Sequence, residues 1–260
     1  MAHEKGSINV SVANLYKNSC YESEIITQGL LGEDVQILQN KNDFIKIRQK
    51  DGYKSWISRH QISQPVIITG KKIIVRDHFI GIFKDKELSL PLKDAVIGCC
   101  LTTVDEDENL YKIHLPTGES GWTHKKHFTA FPELSKDAII NLAKEFLGYQ
   151  YFWGGKTPKG FDCSGFVQLV FALLGKQISR DAWLQVDEGL HLADTFEDAG
   201  IADLLFFGSS QDKITHVGIS LGNQKFIHAL GWVRINSLNK DDPDFSPEHL
   251  KTFIAANRFI

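Results

Sequence analysis

The stretch Phe161-Asp162-Cys163-Ser164-Gly165-Phe166-Val167 sets a cysteine between an acid and a serine, at the lip of an apolar run. Beyond it, Phe166, Val167, Leu169, Val170, Phe171, Leu173 and Leu174 point nearly all round a helical wheel. That pattern predicts a buried helix from near Cys163 to Gly175. A cysteine opening such a helix sits among N–H groups that lack intrahelical partners, at the positive end of the helix dipole. The position is expected to lower its thiol pKa and favour the nucleophilic thiolate. The same N–H groups suit the oxyanion formed when a thiolate attacks a carbonyl. Gly165 is expected to keep the approach open. A purely structural cysteine would fit better further in, among Val170, Phe171 and Leu174.

A nucleophile of this kind needs a base. His216, in Ile214-Thr215-His216-Val217-Gly218-Ile219, and His228, in Lys225-Phe226-Ile227-His228-Ala229, both interrupt apolar strands. Leu221-Gly222-Asn223-Gln224 between them reads as a tight turn. A register centred on Gly222 makes the two histidines cross-strand partners; a shift of one pairing step makes them diagonal neighbours on the same face. In either case one imidazole can pair with the thiolate and the other can orient it. The remaining eight histidines, His249 among them, carry no expected role.

Around this constellation the chain reads as α+β. Ser135 caps a helix carrying Ala138-Ile139, Leu142-Ala143 and Phe146-Leu147, stopped by Gly148. Strands are expected at Asp203–Phe207, Thr215–Leu221 and Lys225–Leu230, so residues 133–260 place helices first and an antiparallel sheet after. The first half is different in texture. Residues 33–39 and 44–48 alternate apolar with polar side chains, as a hairpin does. Lys46-Ile47, Gly52 and Trp56 return 66 residues later as Lys112-Ile113, Gly118 and Trp122. Two copies are too few for a solenoid, and two small β-barrels in tandem are the simpler reading. Pro65 and Phe131-Pro132 mark the expected linkers, giving domains 1–65, 66–132 and 133–260.

Composition excludes several function classes. A net charge of −3 offers no basic stripe for nucleic acid. No GxxxxGK[ST] or strand-to-helix GxGxxG stretch is present to cradle phosphates. The first twenty residues hold no apolar core of a secretory signal, and no stretch approaches a membrane span. The expected location is therefore cytoplasmic. Of the four cysteines, Cys20, Cys99, Cys100 and Cys163, none has metal-ligand spacing, and no cofactor or metal is expected. Cys99 and Cys100 lie in Ala-Val-Ile-Gly-Cys-Cys-Leu, which reads as a strand with both thiols buried as small apolar groups.

In order along the chain, Tyr151–Gly155, Phe161–Phe166, Ile178–Asp181, Asp203–Phe207 and Thr215–Ile219 resemble the motifs of the NlpC/P60 cysteine peptidases, papain-like enzymes that cut peptidoglycan stem peptides. The tandem units resemble bacterial SH3-like domains. The combination is similar to the γ-D-glutamyl-L-diamino acid endopeptidases. The resemblance implies an α+β papain-like catalytic domain preceded by two all-β SH3-like barrels. It implies Cys163 as nucleophile, His216 as base and His228 as the orienting third member. Tyr151 would help the oxyanion or position substrate, and Trp153, Asp162 and Ser164 would line the site. Asp181 would hold the free α-amine of an N-terminal L-Ala, with Glu24 and Tyr53 of the first SH3-like domain contributing to the same pocket. Ala182 departs from the serine that often follows this aspartate. The implied substrates are murein peptides, L-Ala-γ-D-Glu-diamino acid, cut at the γ-D-Glu–diamino acid bond during peptide recycling. A non-catalytic murein-peptide binder, or an amidase or acyltransferase on the same scaffold, are the alternatives.

Overall fold

The computed structural model describes residues 4–64, 69–193 and 195–260. Its contacts divide the chain into two compact units, Met1–Phe131 and Pro132–Ile260. The expected linker at Pro65 and the 65/66 boundary lie outside the described residues.

The first unit contains two antiparallel sheets that follow one another along the chain. One has seven strands, from Lys5–Ile8 to Ile62–Ser63, and the other six, from Lys71–Ile74 to Ser120–His124. The 66-residue repeat has a direct structural meaning. Lys46 stands opposite Trp56 in one sheet and Lys112 opposite Trp122 in the other. Each lysine lays its ammonium over the facing indole, 5.7 Å and 5.6 Å from the ring centroid, a cation–π pair on the outer face. Gly52 and Gly118 turn the two hairpins at φ of 88° and 90°, a region closed to most side chains. Inward-facing Ile47 and Ile113, both fully buried, anchor the two cores. Leu31, in the turn after the strand Ile25–Leu30, packs into the core of the second sheet, and the Lys93 ammonium donates to the Asn9 carbonyl at 2.5 Å.

One expectation fails here. Ala95–Leu101 is not a single strand: Pro91–Val96 and Cys100–Glu106 are separate strands, broken by a turn in which Gly98 takes φ of 87°. Cys99 is fully buried, but Cys100 is only partly buried.

The second unit follows the α+β order. Ser135 caps the helix Lys136–Lys144 by accepting the Ala138 N–H at 3.2 Å. The helix Cys163–Leu173 is buried from Cys163 to Phe171, as its all-round apolar pattern requires. A six-stranded antiparallel sheet faces it, in the order Leu190–Ala193, Phe253–Arg258, Leu204–Ser210, Lys213–Gly222, Lys225–Leu230, Trp232–Ser237. Asn223 and Gln224, both at positive φ, form the two-residue turn between the histidine-bearing strands. Among the described residues, no helix is long and apolar enough to cross a membrane.

Candidate active site

Cys163 is the first residue of its helix, and Asp162 is the N-cap, its Oδ1 accepting the Gly165 N–H at 2.7 Å. Asp162 does more than cap. Its Oδ2 accepts the Gly154 N–H at 3.0 Å, and both its oxygens receive the fork of Arg180, Nη1 to Oδ1 at 3.0 Å and Nη2 to Oδ2 at 2.6 Å. Arg180 is 2% exposed, so this is a buried bidentate ion pair. Ser164 Oγ joins the network, donating to Asp162 Oδ1 at 3.3 Å and accepting Arg180 Nη1 at 3.0 Å. Gly165 serves a different purpose from the one expected. A Cβ there would lie 2.2 Å from the Gly155 carbonyl oxygen, so glycine lets the helix start dock on the 154–155 loop.

The two histidines come from adjacent strands. The register pairs Ile219 with Ile227, and continuing it sets Gly218 opposite His228. His216 and His228 are therefore diagonal neighbours, and His216 Nε2 lies 2.8 Å from His228 Nδ1. His228 Nε2 is 3.0 Å from Asn236 Oδ1, and Asn236 Nδ2 donates to the Asp244 carbonyl at 2.9 Å. These bonds fix the tautomers. An amide oxygen only accepts, so His228 carries its hydrogen on Nε2 and accepts at Nδ1. His216 then donates from Nε2 and keeps a lone pair on Nδ1, the form a general base needs.

Cys163 and His216 line one cavity of about 460 Å³, with Tyr151, Trp153, Glu248 and His249 also on its wall. Trp153 is largely exposed there. The electrostatics correct one expectation. Burial pushes the Cys163 thiol up to about 12, and the Asp162 charge adds to this. The Val217 and Ser164 N–H groups and Arg180 offset only part of it. Burial also holds His216 well below its ordinary 6.5, with His228, His249 and Arg234 adding to the effect. His228 is lowered to about 3, chiefly by burial. Burial thus disfavours both the thiolate and the imidazolium, against the pull of the helix dipole. Burial raises the Tyr151 phenol, which keeps its hydroxyl a donor.

The other expected residues fall elsewhere. Asp162 and Ser164 are held in the buried network with Arg180 and are not on the cavity wall. Asp181 is the half-buried N-cap of the short helix Ala182–Gln185 and is likewise off that wall. Glu24 and Tyr53 belong to the first compact unit. Glu24 is exposed and pairs with Lys17 at 3.0 Å, and the Tyr53 N–H donates to Asp51 Oδ1 at 3.0 Å. Arg180, Asn236 and His249 are the site residues that the sequence did not single out. For Asn236 a signal existed: it stands one diagonal step from His228 on the next strand, where Arg234 is the direct partner.

Residues 148–246 match the NlpC/P60 family, and residues 15–62 match the bacterial dipeptidyl-peptidase Sh3 domain. Dipeptidyl-peptidase 6 of Lysinibacillus sphaericus is 30% identical over 94% of this chain and 95% of its own length. A gamma-D-glutamyl-L-lysine dipeptidyl-peptidase of Bacillus cereus is 27% identical over 92% of this chain and 76% of its own. In fold, the crystal structure of an NlpC/P60 family protein from Bacillus cereus superposes with a TM-score of 0.84 at 24% identity, covering 98% of this chain and 99% of that one. With a cysteine, two histidines and a capping aspartate set on this framework, the chain belongs to the NlpC/P60 family of cysteine peptidases.

Proposed function

We propose that the protein is a cysteine endopeptidase that hydrolyses the γ-D-glutamyl–L-diamino acid bond (meso-diaminopimelate or L-Lys) of murein peptides bearing a free N-terminal L-Ala. The observation that carries this reading is the chain His216–His228–Asn236, whose tautomers leave a basic nitrogen on a ring sharing one cavity with Cys163. The relatives named as γ-D-glutamyl-L-lysine dipeptidyl-peptidases support the substrate class.

His216 Nδ1 takes the Cys163 proton as sulfur attacks the γ-carbonyl of D-Glu, so no separate thiolate need form in the buried site. The imidazolium then gives that proton to the leaving α-amine, and a thioester remains. Water, deprotonated by His216, cleaves the thioester, and the proton returns to sulfur. N–H groups at the helix start and the Tyr151 hydroxyl are the donors nearest the oxyanion. Asp181, with Glu24 and Tyr53, is proposed to bind the L-Ala ammonium, a charge-assisted contact that an acylated amine cannot make. The recycling role and cytoplasmic location belong to the same reading and are tested by cell fractionation.

Mass spectrometry of L-Ala-γ-D-Glu-L-Lys and its meso-diaminopimelate counterpart after incubation with the protein tests the chemistry. Release of L-Ala-D-Glu by the wild type, none by Cys163→Ala, and little from N-acetylated peptide is the expected result. Equal cleavage of the acetylated peptide would remove the roles given to Asp181, Glu24 and Tyr53. Binding without any cleavage would make the protein a sensor.

A further inference from the structure

His249 takes no part in the reaction above and lies beyond the segment matched to the family. It is buried on the short helix Pro247–Thr252, and its Nδ1 lies 2.6 Å from Ser246 Oγ. Its ring centroid is 4.8 Å from that of His228 and 5.3 Å from that of His216. With Nδ1 engaged, Nε2 is the nitrogen left to face its neighbours. One nitrogen from each of the three rings lies within 4.8 Å of the others.

We propose that His216, His228 and His249 form a binding site for a borderline-soft divalent cation of the Zn²⁺ type, and that its occupancy switches the peptidase off. Imidazole nitrogens are the donor set such a cation prefers. Zn–N bonds of about 2.0–2.1 Å in a tetrahedron put nitrogens about 3.3 Å apart. The 2.8 Å His216–His228 separation must open by a few tenths of an ångström, and the widest spacing must close, both by ring rotation. The outer nitrogens already have the partners that metal-bound imidazoles use: Asn236 Oδ1 for His228 and Ser246 Oγ for His249. Burial disfavours the protonated form of all three rings, which leaves them in the ligating state. The nearby charges oppose one another, since Arg234 and Glu248 act on His249 with opposite sign. His216 and His249 also line the cavity, which gives the site a route to solvent.

Inhibition follows from the tautomers and rests on the peptidase reading; binding does not. A cation on His216 Nε2 displaces the hydrogen that this nitrogen donates to His228 and drives it to Nδ1. The lone pair that would take the Cys163 proton is then gone.

The test uses the full chain, stripped with EDTA and titrated with Co²⁺ as a visible probe, then with Zn²⁺ in competition. Ligand-field bands of four-coordinate cobalt are expected for the wild type. Cys163→Ser should keep them, since the site is built from the three imidazoles. Ser246→Ala should weaken binding by ~10–100-fold, and His249→Gln by more than ~100-fold. In the peptidase assay, Zn²⁺ should inhibit the wild type reversibly, and His249→Gln should resist at the same concentration. Absence of cobalt bands, or equal affinity in His249→Gln and wild type, overturns the site. Because the cobalt titration needs no substrate, it decides the site even if no peptide is cleaved.

Discussion

On the helix side of Cys163 the protein buries a full ion pair, Asp162–Arg180; on the sheet side it holds a chain of neutral groups, His216–His228–Asn236. Both networks are built from buried hydrogen bonds, but they handle charge in opposite ways. Asp162 spends its two oxygens on Gly154, Gly165, Ser164 and both arms of Arg180, which holds the helix start against the loop before it. None of those bonds has a proton to pass on. The histidine chain holds its partners by single N–H donors in a fixed order, and each ring keeps one nitrogen free of hydrogen. Fixed charge goes where geometry must be rigid; neutral, polarisable groups go where a proton must move. The Cys163 thiol stands between the two, and the fixed carboxylate beside it is one reason its proton stays on.

The comparison breaks most sharply under single substitutions. His216→Ala should lower the peptidase turnover by ~10⁴-fold, the upper end of general acid–base contributions. Unfolding in urea should lose only about 1 kcal/mol, for the acceptor left unpaired on His228. Arg180→Met should act mainly on stability. It leaves a buried carboxylate uncompensated, which costs about 3–5 kcal/mol, and Asp162→Asn in the same chain should recover part of that. If Arg180→Met unfolds at the wild-type urea concentration, the ion pair is not what holds the helix start.

Acid sharpens the same contrast. His228 titrates near 6.5 in the unfolded chain but only at about 3 in the fold, where burial excludes its charge. Below 6.5 the unfolded chain therefore binds the extra proton, and stability falls as pH drops from about 6.5 towards 3. His216, displaced in the same direction, adds to the slope. His228 contributes on the order of 1 kcal/mol per pH unit across that window. Urea unfolding of wild type at pH 7, 6 and 5 should show this loss, and His216→Ala should show a shallower one. A flat profile would mean that the rings are protonated in the fold.

Much of this architecture was legible beforehand, for local reasons. The Lys46/Trp56 and Lys112/Trp122 pairs were visible as a repeat because cross-strand partners on one face must be chosen together. Ser135 and the all-round apolar helix announced themselves because caps and periodicity act within a turn or two. Arg180 lies within the motif Ile178–Asp181, but nothing in sequence says which acid a buried guanidinium meets 18 residues away. The thiol pKa was misjudged for a similar cause: dipole and N–H groups are properties of the helix, but burial depends on what closes over it. Gly98 ended a strand that alternation alone would have continued. Asn236 was within reach, because the diagonal rule that joins His216 to His228 joins His228 to Asn236 one strand on.

That last residue offers the finest test of the division between charged and neutral networks. Asn236→Asp puts a carboxylate into the neutral chain. At pH 7 it should cost about 1 kcal/mol, because the Asn236 Nδ2 donor to the Asp244 carbonyl is replaced by an oxygen facing an oxygen. The same carboxylate favours the protonated form of His228 and lifts its folded pKa back towards the ordinary value. Less stability is then lost on acidification, so the gap between variant and wild type should narrow from pH 7 to pH 5. Urea midpoints at the two pH values read the effect directly. Curves that stay parallel would mean that Asn236 does not govern the proton on His228, and the orienting role would pass to the rings packed around it, Phe226 and His249.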